Sequence, residues 1–264
     1  MSAHVERLST SGTFSLDGGT WEVENNVWLV GDREEVIVID PAHDAQAVKD
    51  AVGERRVRAI LLTHGHDDHI GAVQETARLL GAEVWINPAD DMLWRRVYGD
   101  DYRPDGEIAE GSEFPVAGVV LSALVTPGHS PGSTCFFLRS GIGAAGLPAE
   151  VREELGAEIA AGARSDAETA VADGEGEPPG REVAADGTVP VTGAIPLLFS
   201  GDTLFQGGPG ATGRSYSSFE TIIDSIRDRL FALPDETVVL TGHGEPTTIG
   251  QERPHLQEWI DRGE

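Results

Sequence analysis

Between Thr63 and Val73 the chain reads THGHDDHIGAV, which sets three imidazoles, His64, His66 and His69, and two carboxylates, Asp67 and Asp68, on one short stretch. Imidazole and carboxylate are the side chains for which a divalent ion of the zinc, iron or manganese type exchanges its water. Taken alone, the cluster is also compatible with a polar turn. The deciding question is whether the rest of the chain supplies partners. Three metal-capable residues recur in one setting: His129 in VTPGHSPGS, Asp202 in FSGDTLF and His243 in LTGHGEP. Each follows a strand-like run, LSALV, PLLFS and TVVL, just as the first cluster follows AILLT. In sheets covered by helices, loops converge at strand ends to form sites. The shared placement therefore reads as one centre. Glycines at 128, 201, 242 and 244 give these loops backbone freedom.

The elements that position the loops follow from periodicity. GTFSL, TWEVENNVWLVGD and the apolar EVIVID ending at Asp40 predict an antiparallel meander. AQAVKDAVGE predicts a short helix capped by Asp44 and ended near Gly53. RVRAILLT is a buried strand. HIGAVQETARLLG predicts one helix with Ile70, Val73, Ala77 and Leu80 on its apolar face and Gly81 as its stop. The strand AEVWIN, a short helix in PADDMLWRRVYGD, and the strands VVLSALVT, STCFFLR and IPLLFSGD come next. SSFETIIDSIRDRLFAL predicts a helix with a capping box from Ser217 to Glu220, ETVVLTGHG a last strand, and ERPHLQEWIDR a closing helix. Alternation of this kind predicts a layered α/β or αββα arrangement, and 264 residues make one large domain or two small ones. Residues 141–194, rich in Gly, Ala, Pro and acids, read as an acidic insertion between two core strands. They hold too little apolar surface to offset ordering entropy, so a flexible segment is expected.

Bulk properties exclude several classes. A formal net charge of −26 opposes any nucleic-acid partner, because phosphate backbones are gripped by clustered cations. No apolar run reaches the roughly 18 residues of a membrane span, and MSAHVERLSTSG lacks the basic start and apolar core of a secretory signal, so a cytoplasmic protein with no membrane partner is expected. The single cysteine, Cys135, in the strand-like STCFFL, reads as a buried thiol. His4, His43 and His255 fall outside every motif and read as surface histidines.

The spacing H-x-H-x-D-H at His64, His66, Asp68 and His69, followed by His129, Asp202 and His243, resembles the metallo-β-lactamase superfamily. Five signals stand in family order: VIVIDP, THGHDDHIG, TPGHSPGS, FSGDTLF and TGHGEPTTIG. The resemblance implies a four-layer αββα sandwich in a single domain over 1–264, with two metal ions at one edge. It assigns His64, His66 and His129 to the first ion, Asp68, His69 and His243 to the second, and Asp202 to a bridge between them. Asp40 would orient a ligand loop by hydrogen bonds, and Thr63, Ser130 and Ser133 could do the same. Zinc is the expected ion, with iron or manganese as alternatives. Two such ions about 3.5–4 Å apart stabilise a bridging hydroxide at neutral pH.

Among members of the superfamily, β-lactamases typically lack the bridging aspartate and are exported, and RNA-processing members need a basic surface. The chain is more similar to the glyoxalase II-like group, which hydrolyses S-acyl thiol conjugates, through IPLLFSGDTLFQGG, the helix that follows, and QERPHL. It departs from that group at Tyr216, where an aspartate is common, and no separate helical domain is expected after His243. The thiol carrier is therefore left open. The expected substrate is a small-molecule hydroxyacyl thioester, with Asp68 a candidate proton acceptor and Tyr98, Arg214 and Tyr216 candidate substrate contacts. A lactonase, a mononuclear-iron persulfide dioxygenase and a non-catalytic metal-binding module are the alternatives.

Overall fold

The computed structural model describes residues 2–156 and 193–263. Its first half is the expected meander, continued by parallel strands. Strands β1 (His4–Leu16), β2 (Gly19–Gly31) and β3 (Glu35–Ile39) pair antiparallel. Strands β4 (Arg56–Leu61), β5 (Val84–Ile86) and β6 (Gly106–Glu107) then add in parallel to complete a six-stranded sheet. The second sheet is built from β7 (Glu113–Val116), β8 (Val119–Val125), β9 (Thr134–Gly143), β10 (Ala194–Gly201), β13 (Val238–Thr241) and β14 (Thr247–Thr248), in the order β14-β13-β10-β9-β8-β7. A two-stranded ribbon, β11 (Leu204–Phe205) with β12 (Gly208–Pro209), stands apart.

Strand alternation sorts the apolar residues into three layers of core. Ile37 and Ile39 of β3 meet Phe136, Leu138, Leu197 and Phe199 between the sheets. Their neighbours Val36 and Val38 face the other way, against Val48, Val52, Ile70 and Trp94 of the covering helices. On the far side Cys135, Phe137, Leu198 and Val239 pack against Ile222, Ile226 and Trp259. Helices, two sheets and helices again make a four-layer αββα sandwich.

Local signals account for most helix ends. Helix α1 (Ala45–Val52) starts where Asp44 accepts from the backbone N–H groups of Gln46 and Ala47, and stops at Gly53, φ 63°. The run expected to be one helix is two, α2 (Asp67–Ile70) and α3 (Val73–Leu80), broken at Gly71 and Ala72. At the break Ala42 bonds both sides: its N–H donates to the His69 carbonyl and its carbonyl accepts from Ala72 N–H. Helix α4 is Asp91–Tyr98, α5 Ala149–Glu154 and α6 Phe219–Ser225. The expected capping box at Ser217 is displaced by one residue. Ser218 caps α6, while the Ser217 hydroxyl bonds the backbone of Arg214. A reciprocal capping box does occur at Thr248 and Gln251, opening α7 (Ile249–Glu252) before the closing α8 (Leu256–Arg262).

The insertion expected over 141–194 needs correction at its described ends. Gly141–Gly143 still belong to β9, and α5 buries Val151 and Leu155, with Leu147 before it, in the inter-sheet core. Residues 157–192 of that expected insertion lie outside the described residues. No helix among the described residues is long and apolar enough to cross a membrane.

Cys135 is fully buried, and burial pushes its thiol up to about 11, with Thr126 pulling back. The folded protein is expected to leave a disulfide reagent unreacted at pH 8 and to consume one equivalent only in denaturant. Rapid reaction without denaturant would contradict this placement.

Candidate metal centre

All seven metal-capable residues singled out by the sequence stand beyond strand ends at one edge of the sandwich. The site begins with Asp40, which leaves β3 at φ 49° and is only 2% exposed. Its Oδ1 accepts the Thr63 N–H at 2.8 Å, and its Oδ2 accepts the Thr63 hydroxyl at 2.6 Å and lies 3.0 Å from His69 Nδ1. A carboxylate only accepts, so His69 carries its proton on Nδ1 and turns Nε2 to the site. The Thr63 proton goes to Asp40, so its oxygen accepts from His64 Nδ1 at 3.0 Å, and His64 likewise presents Nε2. The carbonyls of Ala211 and Glu24 hold Nδ1 of His129 and His243 at 2.9 and 2.7 Å, with the same result. Four ring orientations are thus set from behind.

The inward-facing atoms form two groups. His64 Nε2 and His129 Nε2 each lie 3.0 Å from His66 Nδ1. His69 Nε2 is 3.2 Å from His243 Nε2, and Asp68 Oδ2 is 3.2 Å from His243 Nε2 and 3.5 Å from His69 Nε2. Asp202 joins them. Its Oδ1 is 3.3 Å from His69 Nε2, and its Oδ2 is 3.3 Å from His243 Nε2 and 3.6 Å from His129 Nε2. Ligands at about 2.0–2.1 Å from a tetrahedral ion sit about 3.3 Å from one another. Nitrogen lone pairs gathered at that spacing repel unless a cation lies among them. Asp68 Oδ1 and Asp202 Oδ1 are buried without a hydrogen-bond partner among the described residues, which is costly unless an ion or water serves them. The donor set and its unmet atoms fit a pair of divalent ions. Gly242 is part of the cradle, since a Cβ there would fall 2.3 Å from Asp202 Oδ1.

Charge is divided between the groups. Burial and the neighbouring His69 push His64 well down, and burial with His129 pushes His66 down to about 3, so both rings are neutral. Burial also opposes charge on His69 and His243, but Asp68 and Asp202 outweigh it. They raise His69 well above its ordinary range and His243 to about 10. Desolvation disfavours the Asp68 anion, yet His69 and His243 draw its pKa down to about 2. In the metal-free protein the His243 proton is therefore held more tightly folded than unfolded. Its stabilising contribution is complete below the ordinary value of 6.5 and is lost as pH rises through about 10. Chelator-treated protein is expected to show a falling urea midpoint between pH 7 and pH 10.5. A flat profile would contradict this ion-pair arrangement.

Sequence reading missed the supports behind these residues. Asn25 Nδ2 donates to Asp68 Oδ2 at 3.1 Å, and its Oδ1 lies 2.8 Å from His43 Nε2. His43, read as a surface histidine, is half-buried and belongs to this network. Gly12 makes room for its ring, since a Cβ there would fall 2.2 Å from Nδ1. Asp67, inside the motif, points away and accepts the Ser15 N–H, pinning the β1–β2 hairpin.

A cavity of about 230 Å³ opens over the centre, walled by Phe14, Trp21, Val23, Phe205 and Arg214. The Arg214 guanidinium stacks 3.8 Å from the Trp21 ring centre and 5.5 Å from Phe14. Asp17, at the hairpin turn, accepts the Ser215 N–H at 2.9 Å and ties hairpin to loop. Of the three expected substrate contacts, only Arg214 lines the cavity. Tyr98 is half-buried against Trp94 and Tyr102, and its hydroxyl donates to the Ile70 and Gly71 carbonyls at the α2–α3 break. Tyr216 is 47% exposed, outside the cavity wall. The hairpin aromatics Phe14 and Trp21 do line it.

An αββα sandwich carrying two His/Asp triads at one edge defines a class, that of the metallohydrolases built on this fold. A family model described as the metallo-beta-lactamase superfamily matches residues 20–142 of the chain. Hydroxyacylglutathione hydrolase GloC of Haemophilus influenzae is 29% identical over 245 residues, covering 87% of this chain and 90% of that protein. The crystal structure of TTHA1623 in a di-iron-bound form superposes with a TM-score of 0.58 at 26% identity, covering 88% of this chain and 93% of the other. BLEG-1, a B3 metallo-beta-lactamase, shares the fold with a TM-score of 0.59 at 23% identity, over 93% and 97% of the two chains.

Proposed function

We propose that the chain is a two-metal hydrolase of S-acyl thiol conjugates, acting on small hydroxyacyl thioesters. The observation that carries this reading is the Asp202 carboxylate, which reaches both triads beneath a single cavity. The likeness to GloC supports the thioester class, and that protein's printed name is a hydroxyacylglutathione hydrolase. Zinc is the ion proposed; the di-iron form of TTHA1623 supports iron as the first alternative, ahead of manganese.

When bound, two divalent ions would supply a deprotonated water near neutral pH and polarise the acyl carbonyl. The residues supply the rest. His64, His66 and His129 would hold one ion, Asp68, His69 and His243 the other, and Asp202 both. Asp68 Oδ1, buried and without a hydrogen-bond partner among the described residues, would accept the proton of the attacking water. Phe14, Trp21 and Phe205 exclude bulk water and flank the acyl group. Arg214 offers its cation to an anionic part of the thiol carrier. A thiolate leaves without protonation, which agrees with a cavity wall whose polar members beyond the triads and Asp202 are Arg214, Ser215 and Ser217.

The test is a substrate panel on metal-loaded protein: 2-hydroxyacyl thioesters of glutathione and of a neutral thiol, a simple lactone, and glutathione persulfide with oxygen uptake recorded. Thioester kcat/KM is expected to exceed that for the lactone by about 100-fold, with no oxygen consumed. Preference for the lactone, or oxygen uptake, would move the assignment to a lactonase or a dioxygenase. Metal binding with no turnover of any of them would favour a non-catalytic module.

A further inference from the structure

Asp90 is fully buried, belongs to no triad, and was not singled out by any motif. It ends the tight turn Pro88–Asp90 and lies beneath two ligand loops at once. Its Oδ2 accepts the Gly65 N–H at 2.8 Å and the Ser130 hydroxyl at 2.7 Å, and its Oδ1 accepts the Gly132 N–H at 2.6 Å. Gly65 lies between His64 and His66, while Ser130 and Gly132 follow His129. The approach requires glycine at 132 and leaves little room for a side chain at 65. A Cβ at Gly132 would fall 2.7 Å from Asp90 Cγ, and one at Gly65 would fall 3.1 Å from Asp90 Cβ. The second group, Asp68, His69 and His243, is supported separately, by Asp40, Asn25 and the Glu24 carbonyl.

We propose that Asp90 is the positioning residue of the first triad: it fixes the separation between the His64–His66 loop and the His129 loop, and so sets ion affinity there and not at the second triad. The inference rests on the two-ion reading above. All three partners are donors, so the group must be a full carboxylate. An asparagine would turn its NH2 against an N–H or a hydroxyl and open one side of the clamp. Loss of such an outer hydrogen-bond partner typically lowers ion affinity about 10–100-fold.

The experiment isolates each triad. His243→Ala leaves the first triad complete, and His66→Ala leaves the second. Zn2+ affinity is measured against a competing chelator in both backgrounds, with and without Asp90→Asn, and circular dichroism reports the fold. Asp90→Asn is expected to weaken Zn2+ about 10–100-fold in the His243→Ala protein, and to leave the His66→Ala protein unchanged. Equal losses in both backgrounds would show a general structural role and overturn the proposal, as would no loss in the first. If Asp90→Asn does not fold, Ser130→Ala removes one donor and carries the same comparison. A drop of a few-fold confined to the His243→Ala background supports the clamp. A drop in both backgrounds, or in neither, overturns it. Should the wild-type chain bind no ion, or should neither histidine variant lose one, the two-ion reading itself fails and takes this inference with it.

Discussion

Exchanging Asp202 for asparagine is expected to lower kcat/KM on a thioester on the order of a thousand-fold, equivalent to about 4 kcal/mol of transition-state stabilisation. The effect should exceed that of any outer hydrogen-bond partner because the Asp202 carboxylate reaches both triads, 3.6 Å from His129 Nε2 and 3.3 Å from both His69 Nε2 and His243 Nε2. An amide keeps one acceptor oxygen and places two N–H groups where a second lone pair is needed. It also removes the charge that, with Asp68, raises His243 against its burial. Metal analysis should find fewer than two ions per chain, while circular dichroism is unchanged because the side chain makes no packing contact that asparagine cannot. Near-normal activity with two bound ions would remove Asp202 from the bridge.

Asp40→Ala is expected to cost both stability and ion affinity. The substitution leaves three buried donors, Thr63 N–H, Thr63 O–H and His69 Nδ1–H, without their acceptor. Buried donors stripped of partners cost about 1–3 kcal/mol each, with some relief by relaxation, so a loss of about 3 kcal/mol in urea unfolding of metal-free protein is predicted. His69 also loses the bond that aims its Nε2 inward, and the Thr63 hydroxyl that holds His64 loses its anchor, so ion affinity should fall about 10–100-fold. Asp40→Asn, which retains one acceptor, should lie between wild type and alanine on both measures. An alanine variant as stable and as tightly loaded as wild type would contradict the role drawn for this residue.

What the sequence showed in advance follows physical lines. The layers were legible because a two-residue period in VIVI sends Val36 and Val38 to one core and Ile37 and Ile39 to another. The triads were legible because few residue types serve a metal ion and theirs stand in loops directly after apolar strands. Asp40 was legible through the resemblance, as the aspartate of VIVIDP.

Asn25, His43 and Asp90 were not. Each is an ordinary polar residue until the tertiary fold buries it beside a ligand loop, and nothing local distinguishes Asp90 from Asp91, which is exposed one position on. Tyr98 shows the converse: a tyrosine suits substrate contact by type, but its hydroxyl is spent on the carbonyls freed at the α2–α3 break. Phe14 and Trp21 looked like strand residues because they are, and only the fold of the hairpin over the site gives them a cavity to line. In the acidic segment the run PAEVREELGAEIAAGA was legible as a helix, and α5 forms within its described part, with Leu147, Val151 and Leu155 four apart and buried in the inter-sheet core.

On the function proposed, two ions held in common by Asp202 would act together on a thioester. The most direct test of this is to titrate chelator-stripped protein with Zn2+ and follow hydrolysis of a 2-hydroxyacyl glutathione thioester at each step. The account predicts that activity climbs until two equivalents are bound and then levels. Full activity at one equivalent, or none with both sites filled, would contradict it.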